Sequence, residues 1–153
     1  TRYIQVTVME NGVQANKMTF YLPQLDTHFR RVEQPALMAD GNHLKLAMLG
    51  IDEEKRGVGW VESEDGGMYW QDQQWIESEV FMHLPPRWDQ NFLYWAILQN
   101  GEAMICRTES PAQAPDCKGL GSPRVDSFMV ENGVVTASID TGTADWALTE
   151  IHW

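Results

Sequence analysis

The sequence predicts an α+β fold that is predominantly antiparallel β, with several hairpins and limited helix; an all-β sandwich or barrel is the alternative. Three observations carry this expectation. Three Asn-Gly dipeptides, in "MENGVQ" (9–14), "LQNGEA" (98–103) and "VENGVV" (130–135), each lie between apolar, β-prone flanks. The segments beside them alternate apolar and polar residues, and helical spacing is confined to two short stretches. Asn-Gly accepts positive φ at both central positions of a tight turn, which makes it the strongest short-range hairpin signal. With 153 residues, 43% of them hydrophobic, the chain reads as one globular domain, 1–153.

In the first hairpin Ile4, Val6 and Val8 alternate well. A two-residue turn would set Val6 opposite Lys17. A three-residue loop with a bulge pairs Val6 with Met18 and Ile4 with Phe20, and it is preferred because it keeps the apolar face together. "LDTHFRRVEQ" (25–34) has room for two helical turns before Pro35. "HLKLAML" (43–49), "GVGWVES" (57–63) and "GMYWQ" (67–71) read as short strands. "DQQWIESEVFMHL" (72–84) fits either period: Ile76, Val80 and Leu84 are at helical spacing, yet the segment also alternates as a strand.

The middle hairpin, turning at Asn100-Gly101, has two largely apolar faces, which predicts a covered, central position. Its register sets Cys106 opposite Trp95. In the last hairpin a two-residue turn pairs Val130 with Val135, Phe128 with Ala137 and Asp126 with Ile139. One face is then dry, and Ser127, Met129, Thr136 and Ser138 form a wet one. "DWALTEIHW" closes the chain as a further strand.

Charge narrows the function classes. Twenty-two acids against eleven Lys and Arg leave a net charge of −11. Phosphate backbones need clustered cations, so a nucleic-acid partner is not expected. No apolar run approaches the roughly 18–20 residues that span a bilayer, so no membrane contact by this segment is expected. The chain opens on Thr1 and carries no signal peptide, which leaves an upstream targeting or anchoring segment open.

Cys106 and Cys117 are the two cysteines of the chain. Structural metal sites use four ligands in close pairs, whereas ten residues separate these two and no histidine is near them in sequence. A redox pair is usually Cys-x-x-Cys. Two free thiols are a further reading. The disulfide is preferred, because Cys106 lies on a strand leaving a hairpin and the polar "RTESPAQAPD" between them must return as a surface loop. Closing it would stabilise by roughly 3 kcal/mol in the chain-entropy model. Such a bond persists in oxidising compartments, so an extracellular or periplasmic location is expected.

Motifs for chemistry are thin. There is no Gly-x-Ser-x-Gly elbow and no phosphate-binding glycine loop. The acidic turns "DEEKRG" and "ESEDGG" lack the alternating ligands of a helix–loop–helix calcium site. No catalytic residue, metal or cofactor is assigned, and the protein is not expected to be an enzyme. Seven tryptophans are unusual for this length. Trp70, Trp75 and Trp88, beside Glu77 and Glu79, form the candidate binding surface. Exposed indoles stack on sugars and on partner proteins. The two glutamates also have the type, though not the demonstrated spacing, of a glycosidase pair about 5–10 Å apart.

The stretch "LYWAILQNGEAMICRTESPAQAPDCKGLG" (93–121) resembles the disulfide region of type IV pilins, minor pilins and pseudopilins. In that family an aromatic strand and an Asn-Gly turn lead to a first cysteine, a short loop and a second cysteine. Cys106, Cys117, Lys118, Leu120 and Gly121 match that pattern. "VDSFMVENGVVTASI" (125–139) is similar to pilin sheet strands, and "FYLPQLDTHF" (20–29) to a loop after their long helix. Three departures stand: residues 1–9 read as a strand and not as an apolar helix, a long segment follows Cys117, and the order of the matched stretches is reversed. The resemblance implies a helix-and-sheet head whose role is assembly and surface contact. The expected function is therefore an extracytoplasmic structural, adhesion or assembly domain, such as a pilin-like subunit of a filament or secretion pseudopilus. Its partners would be other protein subunits or a cell-surface ligand, and an oligomer is compatible with this. A secreted carbohydrate-binding β domain is the alternative, and a small carboxylate-based hydrolase comes third.

Overall fold

A computed structural model describes residues 3–21, 31–53, 55–143 and 145–153. Thirteen strands run in order: β1 Tyr3–Glu10, β2 Val13–Tyr21, β3 Arg31–Asp40, β4 His43–Ile51, β5 Arg56–Ser63, β6 Gln74–Glu77, β7 Arg87–Asp89, β8 Phe92–Gln99, β9 Glu102–Thr108, β10 Asp116–Gly119, β11 Val125–Glu131, β12 Val134–Asp140 and β13 Trp146–His152. The described residues contain no helix and every pairing is antiparallel. This corrects the α+β expectation: the protein is all-β, and no sheet closes into a barrel. The predicted helix over 25–34 falls largely on 22–30, outside the described residues. Its end, Arg31 to Gln34, belongs to β3. Pro35 sits in a β-bulge between Glu33 and Ala36, where a missing N–H costs no ladder bond. In 72–84 only Gln74–Glu77 forms a strand, and no helix forms.

The chain divides into two compact units, Thr1–Ser78 and Glu79–Trp153. The first holds the hairpin β1–β2 and a sheet of order β3-β4-β5-β6. Val6 pairs with Met18 and Ile4 with Phe20, as the apolar face requires. The extra residue is not in the loop, however. Asn11 and Gly12 make a two-residue turn at φ 49° and 79°, and the irregularity lies between Val8 and Met9. Val6, Val32, Leu46, Met48, Val61 and Trp70 form a buried cluster, with Leu44 and Trp75 packed against it.

The predicted strand over 67–71 is instead a hydrogen-bonded loop. Gly66 and Gly67 adopt positive φ, which bends the chain away from a strand. The buried Ser63 hydroxyl donates to Asp65 Oδ1 and accepts from the Gly67 N–H, both at 2.9 Å. Asp65 Oδ1 also accepts from the Tyr69 N–H at 2.9 Å.

In the second unit the sheet β10-β9-β8-β7 and the sheet β11-β12-β13 share one core. Tyr94, Ala96, Ala103 and Ile105 come from the first of these sheets, and Phe128, Val135, Ala137 and Ile151 from the second. The two inner faces therefore interdigitate as in a sandwich. The middle hairpin has its predicted register, with Trp95 opposite Cys106 and Leu98 opposite Ala103. The last hairpin keeps Val130–Val135 and Phe128–Ala137 but not Asp126–Ile139. A bulge at Asp126 brings Val125, 3% exposed, opposite Ile139 and turns the carboxylate out. Burying a valine while leaving an aspartate wet outweighs the cost of one unpaired residue.

Candidate functional site

The cystine forms where β9 and β10 lie side by side. Cys106 is directly cross-strand from Cys117, and the two are joined by a disulfide (S–S 2.00 Å). Cys106 is buried and Cys117 half-buried. A buried cystine suggests an oxidising, extracellular-type environment. The loop it closes is pinned at its start, where Thr108 Oγ1 donates to the Ser110 carbonyl at 2.8 Å.

The residues after Cys117 all serve this unit. Lys118 Nζ donates to the His152 carbonyl at 2.6 Å and lies 5.2 Å from the centre of the Trp153 ring. Leu120 enters the core. Gly119 leaves space that the Glu102 carboxylate fills, since a Cβ there would meet Oε2 at 2.5 Å. That carboxylate accepts the Gly121 N–H at 2.9 Å. On the sheet face that carries Lys118, Arg107 lies against Phe92 and Trp153, at 4.1 and 4.9 Å, and its Nη1 donates to Tyr94 Oη at 3.3 Å. Sequence reasoning missed this cation–aromatic cluster, although the hairpin register alone places Arg107 opposite Tyr94.

The predicted surface residues divide between the two units. Trp70, 7% exposed, is a core residue whose Nε1 donates to the Gly67 carbonyl at 3.1 Å. Trp75 lies on β6, half-buried against the first cluster, and Glu77 is exposed on the same strand. Glu79 begins the second unit, exposed, with its carbonyl accepting from the Leu98 N–H at 3.0 Å. Trp88 is half-buried on β7. Among the other acids considered, Glu62 bridges Trp60 Nε1 at 2.8 Å and His43 Nε2 at 3.2 Å. Hydrogen bonds, first from the Tyr69 N–H and also from Ser63, hold the Asp65 carboxyl below the usual aspartate range, with desolvation opposing them. Among the described residues no three His, Cys, Asp or Glu side chains converge as a metal site.

The largest exposed apolar side chains of the second unit lie on the outer face of β11–β13. Leu148 is 76% exposed, Met129 70% and Trp146 51%. The register brings them together: Trp146 pairs with Asp140, Leu148 with Ser138, and Met129 with Thr136. The middle strand contributes Val134, Thr136, Ser138 and Asp140 to this face, and the flanking strands mix the three apolar side chains with Ser127, Glu131, Glu150 and His152. A shallow depression is lined by Met129, Val130, Glu131, Asn132, Val134 and Thr136. Sequence reasoning placed Met129 on a wet face, and alternation in "WALTEIH" would have put Trp146 and Leu148 beside it.

No family model, curated protein or solved structure matches this chain. Among the described residues no helix is long and apolar enough to cross a membrane.

Proposed function

We propose that the protein is an extracytoplasmic contact domain, extracellular or periplasmic, that works by adhesion or assembly and not by catalysis. The observation that carries this reading is the outer face of β11–β13, where Met129, Trp146 and Leu148 are more than half exposed on a regular sheet. Apolar side chains exposed on one sheet face are a feature of interaction surfaces. Met129 and Leu148 make no hydrogen bonds through their side chains, so the face suits a protein surface better than a glycan. The cystine supports the compartment, because such bonds are kept reduced in a cytosol. A pilin-like subunit is the specific form of this reading. It rests on the sequence pattern of residues 93–121 alone, because the helix-and-sheet head that the resemblance implies is not found among the described residues.

The experiment is alkylation of thiols in intact cells that make the full-length product, followed by mass spectrometry with and without reductant. Cys106 and Cys117 should take up label only after reduction. Labelling of both without reductant overturns the extracytoplasmic reading. A carbohydrate-binding domain remains the second reading, favoured by Trp146, whose indole is half exposed at the strand position opposite Asp140. A glycan that shifts tryptophan emission in the native chain, and not in Trp146→Ala, would establish it.

A further inference from the structure

The Asn-Gly turns share one backbone conformation. Asn100 and Gly101 have φ of 50° and 78°, Asn132 and Gly133 have 51° and 78°, and Asn11 and Gly12 have 49° and 79°. The first two of these turns lie in the second unit and form a matched pair. Each closes a hairpin whose pairing runs up to the turn, with Gln99 opposite Glu102 in one and Glu131 opposite Val134 in the other. Both asparagines are exposed. The turns differ in what the glycine nitrogen touches. The Gly133 N–H donates to Oδ2 of Asp89, the last residue of β7, at 2.8 Å. No described residue accepts from the Gly101 N–H, and a Cβ at Gly101 would meet nothing within 4 Å.

Asparagine followed by glycine converts to aspartate without an enzyme. The glycine nitrogen loses its proton to water or hydroxide and attacks Cγ of the asparagine. The N–Cγ bond forms, the Cγ–Nδ2 bond breaks, and Nδ2 leaves as ammonia. Water then opens the cyclic imide at either carbonyl. One opening gives aspartate, and the other gives isoaspartate, whose main chain runs through the former side-chain carbon. No oxidant or reductant takes part. Glycine favours ring closure because no Cβ stands in the way. A carboxylate on the glycine N–H opposes it twice. It holds the turn in place, and its negative charge disfavours the amide anion that must form.

We propose that Asn100 is a site of spontaneous deamidation and isoaspartate formation, and that Asp89 protects the otherwise matched Asn132. The inference is independent of the contact-domain reading. Its consequence falls on the middle hairpin. An isoaspartyl link adds a main-chain carbon to a two-residue turn, so Gln99 and Glu102 can no longer stand opposite each other. The Glu102 carboxylate that accepts from the Gly121 N–H is the first contact to feel the change.

The test is peptide mapping by mass spectrometry of the native, oxidised chain after incubation in buffer, with a parallel sample unfolded in urea. Chromatography separates the aspartyl from the isoaspartyl peptides. Dividing each native rate by the rate of the same site in urea removes the effect of the neighbouring residues. The normalised rate at Asn100 should exceed that at Asn132 by about tenfold, the scale of one charge-assisted hydrogen bond. Asp89→Ala should raise Asn132 to the rate of Asn100 and leave Asn100 unchanged. Asp89→Asn, which keeps an acceptor and removes the charge, should give an intermediate rate at Asn132. Melting curves check that both variants are folded. Equal native rates at the two sites, a faster rate at Asn132, or no conversion of Asn100 while the unfolded chain converts overturns the proposal. So does an Asn132 that stays slow in both folded Asp89 variants.

Discussion

The two units each build a four-stranded antiparallel sheet, and they stabilise it differently. In the first, β6 lies close against Gly57 of β5, where a Cβ would be 2.5 Å from the Ile76 carbonyl oxygen, and Gly59 leaves room for the Gln73, Met48 and Trp75 side chains. The polar loop after β5 is held by Ser63 and Asp65, and the cluster beneath the sheet is small. In the second, a whole further sheet covers β7–β10, and a cystine locks the edge strand β10 to β9. The first sheet buries Met48, Leu49, Val58 and Trp60, each 2% exposed or less, whereas the second adds a covering sheet and a covalent link. The lesson is that antiparallel pairing sets the outline of a sheet, while what covers it sets its strength.

That contrast can be broken at its strongest point first. Phe128, 2% exposed, joins the two sheets of the second unit through the shared core. Phe128→Ala should cost about 3–5 kcal/mol in urea unfolding; a loss near that of a surface substitution would show that the sandwich core is not what holds the unit. The double substitution Cys106→Ala with Cys117→Ala should cost about 3 kcal/mol. The intact protein should lose a similar amount on reduction, measured as a lowered unfolding midpoint, and no loss would make the link incidental to stability. In the first unit Gly57→Ala must displace β6 from β5, and an overpacked site of this kind costs about 1–3 kcal/mol. Faster amide exchange at Trp75 and Ile76 would localise the damage, whereas unchanged exchange would refute the close-approach account.

The smallest effect belongs to Asp65. Its pKa is lower in the folded chain than in the unfolded one. The unfolded state therefore binds the proton first as the solution is acidified. The contribution is present above the ordinary aspartate value of about 3.9 and is lost as pH falls through the lowered folded value. Asp65→Asn should flatten that part of the stability–pH curve, and a curve that keeps its slope would assign the acid dependence to other carboxylates.

Much of the hairpin framework was legible because its signals are local. Asn100-Gly101 and Asn132-Gly133 take up positive φ at both positions, as the dipeptide predicts. The registers adjacent to these turns follow at once. Bulges were not legible in position. Whether the extra residue falls at a turn or inside a strand depends on which side chain gains by being buried, as Val125 and Asp126 show. Pro35 misled for a related reason: it stops a helix and fits a bulge equally well. The loop over 67–71 was read as a strand because Met68, Tyr69 and Trp70 are β-prone, but Ser63 and Asp65 bond to its backbone and fold it over. Of the candidate site, the cysteine pair was visible from spacing and loop composition. The indoles were not sorted by composition: Trp70 went to the core and Trp146 to the surface.

By itself the sequence determined where the chain turns, which residues alternate, and that two thiols flank a loop that must return. Each of these is settled within a few residues, by φ preference and side-chain period. Only the tertiary structure decided which sheet faces are covered, where the strand bulges fall, and which tryptophans meet water. Those outcomes depend on elements far apart in the chain competing to bury the same apolar area, and no local pattern records the result.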